Sequence, residues 1–119
     1  MFGGYTEADW LRSVLNIDPS SYKTDPNAFI FSLKNHEREP LKMACLRPGK
    51  AIMCAENTGP IFGACDIKIA AFSNKNNKSF SNLGYNYKHP RHGYNSRESK
   101  MFLAGEENFQ VVEIEVFTI

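Results

Sequence analysis

Apolar residues in this chain come in short bursts, each cut off by a turn signal after roughly six to twelve residues, and that punctuation leaves few architectures open. The bursts are "AFIFSLKN", "LKMACL", "KAIMCA", "IFGACDIKIAAF", "FSNLGYNY" and the terminal "NFQVVEIEVFTI". Between them lie "NHEREP", "RPG", "ENTGP", "SNKNNKS" and "KHPRHGYNSRESK", polar or Pro/Gly-bearing stretches that read as turns and loops. In "AFIFSLKN", Phe29, Phe31 and Leu33 alternate with Ile30, Ser32 and Lys34, which is the period of a half-buried strand. "IFGACDIKIAAF" reads as one strand, with Ile67 and Ile69 opposed to Asp66, Lys68 and Ala70. "FSNLGYNY" reads as a weaker strand, with Gly84 a bulge or a point of close approach. Helical spacing occurs once, in "TEADWLRSVL", where Thr6 is placed to cap and Trp10, Leu11, Val14 and Leu15 share a face. Many short strands with turns between them predict a mainly antiparallel sheet fold, a sandwich.

At 119 residues the chain is one domain, 1–119, able to bury a core. Fourteen basic against thirteen acidic residues leave a net charge of +1, too little to hold a nucleic-acid backbone or an anionic membrane surface. There is no apolar run of membrane-spanning length and no basic-then-apolar leader in "MFGGYTEADW". Cys45, Cys54 and Cys65 are odd in number and form no C-x-x-C pair, which points to a reduced, cytoplasmic setting.

Five constellations carry possible chemistry, and each has a plainer explanation. Read as a strand, the C-terminal stretch puts Val112, Ile114 and Val116 on one face and Val111, Glu113, Glu115, Phe117 and Ile119 on the other. Carboxylates two apart on one strand face lie about 7 Å apart, near the lower limit for an inverting glycosidase. Ordinary solvated strands show the same spacing, so only burial would favour acid–base chemistry. "GPIFGACD" lacks the glycine spacing and the following helix of a phosphate loop. His89 and His92, in a loop read as exposed and next to Arg91, lack the hydrogen-bonding partners that hold metal-bound imidazoles in place. Lys88, Arg91, Arg97 and Lys100, interleaved with Tyr87 and Tyr94, make that loop locally basic, though a solvated loop explains it. The cysteines lie in strand-patterned runs, where a free thiol packs as a small apolar group. No catalytic residue, metal ligand or cofactor is therefore expected.

Taken in order, "FGGYT", "YKTDPNAFIFSLKN", "GPIFGACDIKI", "SFSNLGYNY" and "FLAGEENFQVVEIEVF" resemble the TLDc domain family over nearly the whole chain. The matching positions are Gly59, Phe62, Gly63, Asp66, Gly84, Gly105, Phe109, Glu115 and Phe117; Glu113 has no firm counterpart. The resemblance implies a two-sheet antiparallel β-sandwich with one or two short flanking helices. Family domains begin with a helix and a strand ahead of "FGG", so it also implies a domain shortened at its N-terminus. The edge at Phe2 to Thr6 would then be open to pairing with another copy.

The resemblance implies protein interaction rather than chemistry. It points to oxidative-stress protection and to binding and regulation of the vacuolar proton-pumping ATPase. The alternatives it leaves are a substrate-receptor domain of a BTB-type ubiquitin-ligase adaptor, and a hydrolase using Glu115 as general acid/base with a Cys or Asp66 nearby.

Overall fold

The computed structural model describes residues 1–10, 20–35, 37–55 and 58–115. It is mainly β. The strands are β1 (Phe2–Tyr5), β2 (Ser20–Lys23), β3 (Phe29–Ser32), β4 (Leu41–Ala44), β5 (Ile52–Ala55), β6 (Thr58–Phe62), β7 (Ile67–Ala70), β8 (Ser79–Ser81) and β9 (Asn108–Phe109). A 3-10 turn covers Pro48–Lys50, and one short helix, α1, covers Arg97–Met101. Two antiparallel sheets result, one in the order β1-β3-β4 and the other β2-β5-β6-β7-β8-β9. Among the described residues β1 pairs on one side only, with β3.

The sheets enclose one core. Ile30 and Met43 from the smaller sheet meet Ile52, Phe62 and Ile67 from the larger, with Tyr87 and Phe102 closing the cluster from the connecting segments. In β3 the inward residues are Ile30 and Ser32; Phe29 and Phe31 form the half-buried outer face. There Phe29 stacks on Tyr5 at 5.0 Å, with Lys42 Nζ 4.2 Å from its ring centre. A backbone bridge between Cys45 and Tyr87, with Leu46 N–H donating to the Asn86 carbonyl at 2.8 Å, ties the end of β4 to the segment after β8.

Five expectations need correction. "IFGACDIKIAAF" is two strands, because Gly63 and Cys65 both take positive φ (64° and 78°) and turn the chain between β6 and β7. The presumed turn "ENTGP" already belongs to β6 from Thr58 onward. Pro60, which has no N–H to give a ladder, is accommodated where the β6–β7 register shifts between Thr58 and Ile61. Of "FSNLGYNY" only Phe80 and Ser81 are strand, continuing from Ser79, and the chain then turns before the Tyr87 bridge.

The helix is not at "TEADWLRSVL". Residues 6–10 are not helical, and the rest of that run lies outside the described residues. Thr6 Oγ and Glu7 N–H instead donate to the Asp25 carboxylate at 2.7 and 2.6 Å, which holds this segment across the start of β3. Helix α1 forms in the loop expected to be irregular, where Ser96 Oγ accepts the Ser99 N–H at 3.1 Å as an N-cap. Finally, the terminal strand stops at Phe109. Its partner β8 is only three residues long, and Val112 beyond it is 95% exposed. Val116, Phe117 and Ile119 lie outside the described residues.

Candidate functional site

The β6–β7 turn delivers Asp66 into the interior, where it is fully buried. Its Oδ2 accepts the backbone N–H groups of Asn86 (3.0 Å), Tyr87 (3.0 Å) and Gly84 (3.2 Å). Asp66 N–H in turn donates to the Phe62 carbonyl, and its own carbonyl accepts from Asn82 N–H. Burial pushes the Asp66 carboxyl above the usual aspartate range, and the converging N–H donors act against that push.

The two glycines beside Asp66 are needed for different reasons. A Cβ on Gly63, where φ is +64°, would sit 2.0 Å from Asp66 Oδ1. On Gly84, where φ is +117°, it would meet the Tyr94 backbone at 2.8 Å. Phe62 lies in the same cluster, with its ring 6.1 Å from that of Tyr87 and its tip pressed on the Gly4 Cα side. Four of the sequence-predicted positions, Phe62, Gly63, Asp66 and Gly84, thus come together.

The other predicted positions lie apart from this cluster. Gly59 lets β6 approach Ile69 closely. Gly105 lies in the turn after α1, its N–H donating to the Met101 carbonyl at 2.8 Å. Phe109 is buried and meets Phe2 edge-on at 5.6 Å. Glu115 is exposed, as is Glu113, on a stretch outside any strand, and Phe117 lies outside the described residues.

Asn86 is a residue that sequence reasoning missed. Its backbone is fixed by Asp66, and its side chain serves the turn at Pro48–Lys50. The Asn86 amide donates to the Lys50 carbonyl (2.8 Å) and the Arg47 carbonyl (3.1 Å), while its oxygen accepts the Arg47 N–H (2.6 Å). Arg47 and Asn86 are 39 positions apart, so no local pattern links them.

A second cluster joins the β3–β4 loop to the segment before α1. Glu37 accepts from His92 Nε2 (2.6 Å) and Arg91 Nη2 (2.7 Å), and Glu39 also receives Arg91 (2.9 Å). His89, expected in an exposed loop, is fully buried, with its ring 4.3 Å from that of His92 and 4.4 Å from that of Phe102. The sequence placed Arg91 in a basic stretch with neighbouring cations; here its charge is taken up by the two glutamates.

Glu37, His89 and His92 bring ligand-type atoms within 4.8 Å of one another, a donor set suited by type to a divalent metal. Their arrangement does not fit one. The two imidazole rings are stacked, with planes only 25° apart, a poor arrangement for two ligands of one ion. Arg91 N–H donates to His89 Nδ1 at 3.0 Å, which leaves the proton on Nε2, the atom facing Glu37 at 3.5 Å. The Arg91 guanidinium already occupies the carboxylate. As arranged, the cluster is a clasp between two loops.

That clasp has a pH signature. The His92 hydrogen bond, with Arg91, lowers the Glu37 pKa to about 2. Burial, with the neighbouring His92 charge, lowers that of His89. A depressed carboxylate stabilises the fold above its unfolded value and loses that contribution as pH falls toward about 2. Protonation of His89 below its ordinary value acts in the same direction. Glu37→Gln is expected to lower stability at neutral pH by about 1–2 kcal/mol, Glu37 being partly water-screened. It should also flatten the loss of stability between about pH 5 and 2.5 in urea titrations.

The three cysteines are all free. Cys54 is buried in β5, whereas Cys65 sits in the β6–β7 turn, not in the strand read from its pattern. Burial raises both thiols, which is the opposite of activation.

A family model described as "TLDc domain" matches residues 1–119. Comparison with curated proteins and with solved structures finds no match.

Proposed function

The chain belongs to the TLDc domain family, and from that premise we propose that it is a non-enzymatic protein-interaction module. It acts in the cytoplasm, in oxidative-stress protection, by binding and regulating the vacuolar proton-pumping ATPase. Family membership is the observation that carries this reading. Among the described residues no helix is long and apolar enough to cross a membrane, and the free thiols accord with a reduced compartment.

The buried or depressed carboxylates support a role without chemistry, because they are engaged in holding the fold. Asp66 is occupied by backbone N–H groups and Glu37 by His92 and Arg91. The hydrolase alternative needs Glu115 in a concavity beside a second polar group. Glu115 is exposed, and it lines neither the hollow between Trp10 and Pro60 nor the one between Leu33 and Pro40. The side of β1 that no described strand pairs is the proposed site of self-association.

Affinity capture from a cell lysate, read by mass spectrometry, tests the partner. Proton-pump subunits are expected in the wild-type eluate and, equally, in that of Glu115→Gln. Their absence from the wild-type eluate ends the pump reading. A BTB-type adaptor assembly in their place transfers the function to the ubiquitin-ligase alternative.

A further inference from the structure

The basic, tyrosine-bearing surface expected at residues 88–100 is not where the sequence puts it. Tyr87 is buried, Arg91 is paired with Glu37 and Glu39, Arg97 Nε is directed at Met101 Sδ, and Lys100 lies 3.7 Å from Glu107. Lys88 remains exposed at the start of the stretch, and Tyr94 is 49% exposed, its ring 6.0 Å from that of Tyr85.

Around Tyr85 the fold assembles a different surface. The Arg47 guanidinium lies 4.9 Å from the Tyr85 ring centre and donates to the Tyr85 carbonyl. Lys50 Nζ donates to the Tyr85 hydroxyl at 2.9 Å and sits 5.4 Å from the ring of Tyr22, itself 38% exposed. Leu46, 55% exposed, adjoins Arg47. Among the described residues neither Arg47 nor Lys50 has a carboxylate partner. Two cations are therefore held in place by aromatic rings and backbone bonds, with their charge unmatched. Asn86 fixes the turn that carries both, and Asp66 fixes Asn86.

We infer that Tyr22, Leu46, Arg47, Lys50, Tyr85 and Tyr94 form a docking surface for an acidic peptide segment of a protein partner. The inference rests on the protein-interaction reading above and locates its contact. Charge complementarity selects the occupant: carboxylates would pair with Arg47 and Lys50, and the tyrosines and Leu46 would cover the adjoining apolar side chains. Tyr and Arg are the residue types that dominate interface energetics. A nucleic-acid strand fits less well, since it asks for a basic groove along its backbone and the chain has a net charge of only +1.

The test uses the full chain and a short fluorescein-labelled peptide of alternating glutamate and leucine, followed by fluorescence anisotropy at physiological salt. Saturable binding is expected, weakened about tenfold or more by Arg47→Ala/Lys50→Ala and several-fold by Tyr94→Ala. Lys75→Ala/Lys78→Ala, which removes the same charge from a different loop, should leave it unchanged. Since Arg47 also bonds the Tyr85 carbonyl, Lys50→Gln provides a milder variant that should still weaken binding several-fold. Amide chemical-shift changes should centre on Tyr22, residues 46–50, Tyr85 and Tyr94.

The inference is overturned by no saturable binding, or by equal weakening in the Lys75/Lys78 variant. It is also overturned if oligothymidylate binds more tightly than the peptide at these residues. Peptide failure with pump subunits still captured removes this location and leaves the interaction reading standing. Peptide binding without capture of pump subunits removes the pump and keeps the surface.

Discussion

Asp66→Ala is expected to cost about 3–5 kcal/mol, a large share of the stability of a domain this size. The substitution removes an acceptor from the interior, leaving the N–H groups of Asn86 and Tyr87 buried and unpaired. Gly84 N–H is spared, because it also donates to the Tyr87 carbonyl at 3.0 Å. Urea unfolding followed by circular dichroism reads the effect, and a thermal melt should show a drop in melting temperature of roughly 10 °C or more. Asp66→Asn separates acceptor geometry from charge. All three donors reach Oδ2, so an amide with its oxygen at that position keeps them. It also avoids the burial of a carboxylate. Its expected cost is about 1 kcal/mol or less. If Asp66→Asn is as damaging as Asp66→Ala, the ionised carboxylate itself holds the segment, and the acceptor account is wrong.

Gly63→Ala is the second large effect, expected at about 2–4 kcal/mol. The methyl would have to occupy space 2.0 Å from Asp66 Oδ1, on a backbone at φ +64°. Because much of this cost is a collision with one atom, it should shrink when that atom is gone. In a double-mutant cycle Gly63→Ala and Asp66→Ala are expected to couple, with the pair less destabilising than the sum by about 1–2 kcal/mol. Strict additivity would mean that the glycine is required for its backbone angle alone.

These residues show where the sequence was legible. Strand period and turn chemistry are local, and so β3 falls where alternation put it and β4 and β5 fall in the short runs bounded by turns. Gly84 is the close-approach point that its neighbours suggested. The β6–β7 turn was hidden because Ile61, Phe62, Ile67 and Ile69 read through it as one apolar run. Helix α1 was hidden because five residues, Arg97–Met101, are too few to show a period, leaving only the Ser96 cap as a signal.

The chemistry was harder still. Asp66 was recognisable as a family position, but its burial depends on N–H groups 18 to 21 residues away. Glu115 attracted attention through its apolar neighbours, and two of those described, Val112 and Ile114, are 95% and 53% accessible. His89 looked like a loop residue because nothing in "KHPRHG" indicates that Phe102 covers it.

The hydrogen bonds that shape the Arg47–Lys50 turn span 36 to 39 residues, and those beneath them another 20 or so. Contacts of that range close late, after the chain has paid the entropy of bringing distant segments together, and they slow folding. This surface therefore has no nascent form. A chain emerging from the ribosome would not present it until Asn86 had been made and had closed on β5 and the β6–β7 turn. Any ligand specific for it would report completed folding and would not bind a partly folded chain.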